Sequence, residues 1–126
     1  MAKATRRFPA RVLASIRDDT FLYIRAGEEH RFIGIWGVVV DGRVFVRSWT
    51  IKPTGWYRAF QQDPVGAIRI GAREIPVRAR AARGERLNDA IDGAYLEKFP
   101  SKGWRTYAVG LAEPARRATT TELIPR

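Results

Sequence analysis

The chain of 126 residues contains no cysteine, which excludes disulfides and thiolate chemistry and is compatible with a reducing compartment. It has one histidine, His30, in the polar stretch Gly27-Glu28-Glu29-His30-Arg31. A transition-metal site usually draws on several His or Cys donors, and nothing in the sequence places a nucleophile beside His30 for a Ser-His-Asp triad. Long apolar runs are also missing: none approaches the ~20 residues of a membrane span. The basic start, MAKATRRFPAR, has no apolar stretch of the kind a secretory signal carries. A cytoplasmic location and no membrane partner are the expectation. Lysine is scarce (Lys3, Lys52, Lys98 and Lys102), although the net charge is +10. The positive charge is carried by arginines spread along the whole chain, not by a basic block, which makes nucleic acid the weaker class of partner. Neither Glu28-Glu29 nor Asp89 with Asp92 reads as a paired acid/base site.

What remains is a chain of one-domain length, with a flexible basic arm expected over 1–10 and a single domain over 11–126. Val12, Leu13 and Ile16 share one face of a helix in PARVLASIRDD. TFLYIRA alternates as a strand, Phe21 and Tyr23 one way and Leu22 and Ile24 the other. RFIGIWGVVV is apolar on both faces and reads as one long central strand. Asp41-Gly42 is a two-residue hairpin signal, and RVFVRSW returns from it. A short helix carrying Trp56 and Phe60, with Thr54 as its cap, ends at Asp63-Pro64. VGAIRI and REIPVRARA follow as strands joined at Gly71-Ala72. Pro76 predicts that the second strand is an edge or carries a bulge. ERLNDAIDGAYLEKF is an amphipathic helix, in which Gly93 reads as a site of close packing. SKGWRTYAVGLAEPA reads as a loop with a short turn, and RATTTELI as a last strand. Roughly six mainly antiparallel strands and two or three helices make a small barrel with helices across its openings.

Residues 43–64 concentrate the chemistry. A strand ends in Arg47 and Ser48. A linker carries Lys52, Pro53, Thr54 and Gly55, and a helix opens on Trp56-Tyr57-Arg58. Anion-binding groups facing a helix start suit a phosphate, and the aromatics beside them suit a flat ring. Tyr57 and Arg58 are the better ligand candidates on the helix, Trp56 the better core residue. Trp36 interrupts an aliphatic strand and is a second candidate wall. Arg69, Arg73, Arg78 and Arg80 lie on two neighbouring strands, either as a solvated polar face or as positive potential around an acidic ligand.

The order of these segments, from the hairpin through "VRS", "WYRA", "DPVGAIRI" and "LNDAIDGAYLEKF" to "ARRATTTELIPR", resembles a bacterial family catalogued as a domain of unknown function. It is similar in turn to the flavin-binding split barrels, the fold of pyridoxamine-phosphate oxidase and of the deazaflavin-dependent nitroreductases. The resemblance spans residues 11–126. It implies an α+β protein built on a six-stranded antiparallel split β-barrel, working as a homodimer with FMN or a deazaflavin in a groove at the interface. Carried across, the phosphate end falls on Arg47, Ser48, Lys52 and Thr54, with the Gly55 amide and Arg58. One departure matters. Trp49, Thr50 and Ile51 stand where the deazaflavin enzymes keep glycines, so Trp49 either caps a ring or blocks the groove. Three functions stay open: a flavin- or deazaflavin-dependent oxidoreductase; a non-catalytic barrel without cofactor that binds a small acidic ligand or a protein; and a nucleic-acid-binding small barrel. A flavin reductase needs no general acid or base of its own, because the cofactor supplies the redox chemistry.

Overall fold

The computed structural model describes residues 6–50 and 55–126. Lys52 and Thr54 of the expected phosphate site, and the first five residues of the expected arm, lie outside them. The elements run α1 (Ala10–Asp18), β1 (Leu22–Ala26), β2 (Ile33–Ile35), β3 (Gly37–Val40), β4 (Arg43–Val46), α2 (Trp56–Gln62), β5 (Val65–Ile70), β6 (Arg73–Ala81), α3 (Glu85–Lys98), α4 (Lys102–Gly110), α5 (Pro114–Arg117) and β7 (Thr121–Pro125).

All strand pairs are antiparallel, in the order β2-β1-β5-β6-β7-β4-β3. β2 and β3 sit at opposite ends of that order, yet Trp36 alone separates them in the chain. The sheet therefore curls round until its two ends meet at Trp36, giving a nearly closed barrel. This corrects the expected single strand over 31–40 and the count of six: the run is apolar on both faces because it bends between two edges. Asp41 and Gly42 both have positive φ, 52° and 73°, which is the primed turn that matches the twist of a hairpin.

Alternation along the strands sorts the side chains into two cores. Leu22, Ile24, Val44, Val46, Ile68, Val77 and Leu123 fill the barrel. Val12 and Ile16 of α1 and Phe60 of α2 pack into the same cluster and close its ends. Phe8, within the segment expected to be a flexible arm, is only 5% exposed and belongs to this core. Outside the barrel, Val38 and Phe45 of the β3–β4 hairpin pack against Ile91, Tyr95 and Phe99 of α3 and its C-terminal end, and against Ala108 and Leu111 around α4.

Three further expectations change. β6 lies between β5 and β7, so Pro76 is not on an edge. Its carbonyl accepts from the Arg126 N–H at 3.0 Å, past Pro125, the last paired residue of β7. The missing proline N–H thus falls where that ladder has run out. Gly93 is exposed, and a Cβ there would meet nothing within 4 Å, so it is not a packing glycine. The expected loop over 101–115 holds α4 and the start of α5. Ala108 and Leu111 face the second core, while Gly103 and Gly110 dilute the helical pattern in the sequence.

Candidate functional site

Arg47 follows β4 with outward parity and is carried under α3 and the α4–α5 turn. Its side chain is fully buried. All five guanidinium N–H groups have protein acceptors: Nε donates to Thr120 Oγ1 at 2.8 Å, one terminal nitrogen to Asp92 and to the Leu111 carbonyl at 3.0 Å, and the other to the carbonyl and the side-chain oxygen of Asn88 at 3.2 and 3.0 Å. Asp92 also accepts from Arg117 Nε at 3.1 Å, and Arg117 reaches Glu85 and Asp89. Arg47 is thus the buried centre of an ionic knot joining the chain just after β4 to α3, the α4–α5 turn and the residue before β7. Ser48 is buried too. Its N–H donates to Thr119 Oγ1 at 2.8 Å, and its hydroxyl donates to the Thr50 carbonyl. Arg47 and Ser48, two of the residues expected to hold phosphate, direct their donors inward.

Two cavities open beside this strand end. One, of about 250 Å3, is lined by Trp36, Ser48, Trp49 and part of β2; the other, of about 230 Å3, by Ala26, His30 and Arg31. They share Ile33, Gly55 and Trp56 and so form one groove between β2 and the start of α2. Of the expected site residues, the structure brings Trp36, Arg47, Ser48, Trp49 and Gly55 to this groove. Tyr57 and Arg58 are not among its lining residues: they bond Gln61 along α2 instead, while Trp56, read as core, is half-buried and lines both cavities. Among the described residues no carboxylate lines either cavity. His30 and Arg31 were missed as site residues because the GEEHR stretch reads as a solvated loop tip; only the pairing of β1 with β2 brings that turn opposite α2.

Trp49 is fixed from several sides. The Arg116 guanidinium lies 3.6 Å from its ring centroid, and Arg116 Nε donates to its carbonyl at 3.0 Å. A Cβ at Gly110 would come within 2.6 Å of the ring, so this glycine is what lets Trp49 lie on α4. Trp36, at the barrel joint, contacts Trp49 at 6.0 Å and Tyr107 at 4.9 Å between centroids. Phe21 and Trp104 extend the cluster to the surface. Among the described residues the buried Trp36 Nε1 donor has no hydrogen-bond partner, which costs roughly 1–3 kcal/mol.

Two titratable groups pin neighbouring parts of the fold. Tyr95 is buried, and burial raises its phenol well above the ordinary value; its hydroxyl donates to the Trp36 carbonyl at 2.7 Å. Lys98 Nζ donates to the carbonyls of Ile16 and Gly37 at 2.6 and 2.7 Å, and burial lowers it to about 8 against the pull of Asp19 and Asp18. Among the described residues no helix is long and apolar enough to cross a membrane, and no group of three acidic or His side chains is placed to hold a metal ion.

Comparison with known proteins bears on the fold and the family. A conserved hypothetical protein of Mycobacterium tuberculosis superposes with a TM-score of 0.56 at 9% identity, covering 98% of this chain and 83% of its own. An F420-H2-dependent reductase superposes at 0.55 and 16% identity, covering 82% and 90%. A protein of Listeria innocua named for pyridoxamine 5'-phosphate oxidase gives 0.54 at 11%, covering 92% and 90%. At such identities the likeness is one of fold, and the fold is the split barrel. No curated protein sequence matches the chain. Residues 12–123 match a family described as uncharacterized protein conserved in bacteria. With nearly its whole length matched, the chain belongs to that bacterial family, DUF2255.

Proposed function

We propose that the protein binds a flavin or deazaflavin in the groove between β2 and α2 and works, as a homodimer, as an oxidoreductase of a small molecule. The observation that carries this reading is the groove itself. It lies at the end of β4 and the start of α2, where the resemblance puts a cofactor, and it joins an indole-walled end at Trp36 and Trp49 to a basic end at His30 and Arg31. The residues present fit such a group. Trp36, Trp49 and Trp56 supply apolar faces for a flat ring. Trp36 Nε1 is an orphaned donor, and a ring bearing carbonyl or nitrogen acceptors is the kind of partner it lacks. When bound, the cofactor supplies hydride transfer. The chain's own residues orient it and exclude water, and no carboxylate is needed for proton transfer. That the neighbours include an F420-H2-dependent reductase and a protein named for pyridoxamine 5'-phosphate oxidase supports the reading at the level of fold. The half-exposed rim of Phe21, Trp104 and Tyr107 supplies apolar surface for a second copy.

The test is a fluorescence titration with FMN, FAD and the deazaflavin, together with the 350–500 nm absorbance of freshly purified protein and its mass by light scattering. Saturable binding of one cofactor below about 100 μM, or ~5.5 kcal/mol of affinity, by a protein with the mass of two chains is the expected result. Absence of binding by all three points to the cofactor-free barrel. The fixed position of Trp49 between Arg116 and Gly110 is the observation that favours that second reading.

A further inference from the structure

The groove has chemically different ends. The Trp36–Trp49 end is aromatic: Arg47, which lines it, has no N–H left to give, and Arg116, over the Trp49 ring, is engaged by Glu113 and the carbonyls of Trp49 and Gly110. The other end is bordered by the β1–β2 turn, where His30 and Arg31 are both exposed. Arg31 makes no hydrogen bond or ion pair to any described residue. This distinguishes it from Arg25, Arg43, Arg80, Arg116 and Arg117, which all meet carboxylates. Glu28 and Glu29 of the same turn, with Asp63, line an adjoining cavity of about 470 Å3 that shares Ala26 and His30 with the one bordered by Arg31, but none of the three lines the Arg31 cavity itself. A free guanidinium at the mouth of a cavity without carboxylates offers a planar fork of donors to an anion.

We infer that the anionic end of the ligand, a phosphate or its equivalent, lies against Arg31 with His30 beside it, and that the ring points toward Trp36 and Trp49. This rests on the flavin-type reading of the groove and moves its phosphate end away from Arg47 and Ser48. It makes the protein selective for the phosphorylated form of its cofactor, through two exposed side chains of the β1–β2 turn.

FMN and riboflavin share one ring and differ by the phosphate, so their affinity ratio isolates this contact. The deazaflavin cofactor and its phosphate-free core form the equivalent pair. Full-length wild type is expected to prefer the phosphorylated member about tenfold or more. Arg31→Ala is expected to remove most of that preference while leaving affinity for the unphosphorylated ring within about twofold, and His30→Gln to remove part of it. Because the chain has a single histidine, its imidazole Cε1–H resonance is assigned without ambiguity. That resonance is expected to move with FMN, and with millimolar inorganic phosphate alone, in wild type and much less in Arg31→Ala. If both rings bind and the preference survives Arg31→Ala, or is abolished by Lys52→Ala instead, the anion lies elsewhere and the inference is overturned. If no ring binds, the flavin-type reading fails first. In that event phosphate that shifts His30 only when Arg31 is present upholds the anion site, and phosphate that leaves the resonance still removes it.

Discussion

Arg47 was legible as an important residue and illegible as to why. A basic side chain at the end of an apolar strand looks like a ligand anchor, because its acceptors are 41 to 73 positions away in the sequence. Folding brings Thr120, Asn88, Asp92 and Leu111 around it and uses every donor. A buried guanidinium of this kind holds its place only when fully paired, and deleting one partner strands the other charges. Arg47→Met is accordingly expected to destabilise the fold by about 3–5 kcal/mol in chemical denaturation. Arg47→Lys is also expected to be destabilising, since three ammonium donors cannot replace a five-donor fork. Loss of cofactor affinity with unchanged stability would contradict this assignment. Trp49 shows the same limit: a tryptophan where relatives keep glycines marks a change in the wall, but Gly110 and Arg116, which hold it, are more than 60 positions away in sequence.

Among the elements, those with clean local periodicity were readable. The first helix, the Asp41-Gly42 hairpin, the short helix ending at Asp63-Pro64, the β5–β6 pair and the α3 helix stand where their patterns put them. The failures share a cause. The 33–40 run is apolar on both faces whether it is a central strand or a bend joining two barrel edges, and α4 is disguised by two glycines. Gly93 in α3 looked like a contact, yet a methyl group there would meet open space. Gly93→Ala is therefore expected to raise stability by about 0.5–1 kcal/mol through helix propensity alone, read as a higher denaturation midpoint with unchanged slope. A decrease would mean that something closes on this face of the helix.

For the whole molecule, barrel closure rests partly on Glu122. It is buried on the outer side of β7 and accepts from Arg43 on β4 at 2.8 Å and Arg80 on β6 at 2.7 Å, tying three adjacent strands. Burial pushes its carboxyl up, but the hydrogen bonds and charges of the two arginines outweigh this and hold it below the ordinary 4.5. The unfolded chain takes up this proton first on acidification. The contribution of Glu122 is therefore complete above about pH 4.5 and is lost as pH falls through the lower folded value. Melting temperatures measured from pH 7 to 3 are expected to show wild type above Glu122→Gln at neutral pH, with the gap narrowing below about 4.5; a constant gap would remove the carboxylate from this role. Local chemistry settled what periodicity, turn residues and charge can encode: a barrel-type α+β fold, its hairpin, most of its helices, and a region rich in anion-binding and aromatic groups. It could not say which of those groups face a ligand. A guanidinium beside five acceptors and one beside none among the described residues are the same letter in the sequence. Only closure of the sheet at Trp36 and the packing of α3 to α5 on its outside turned Arg47 inward and left Arg31 at the groove.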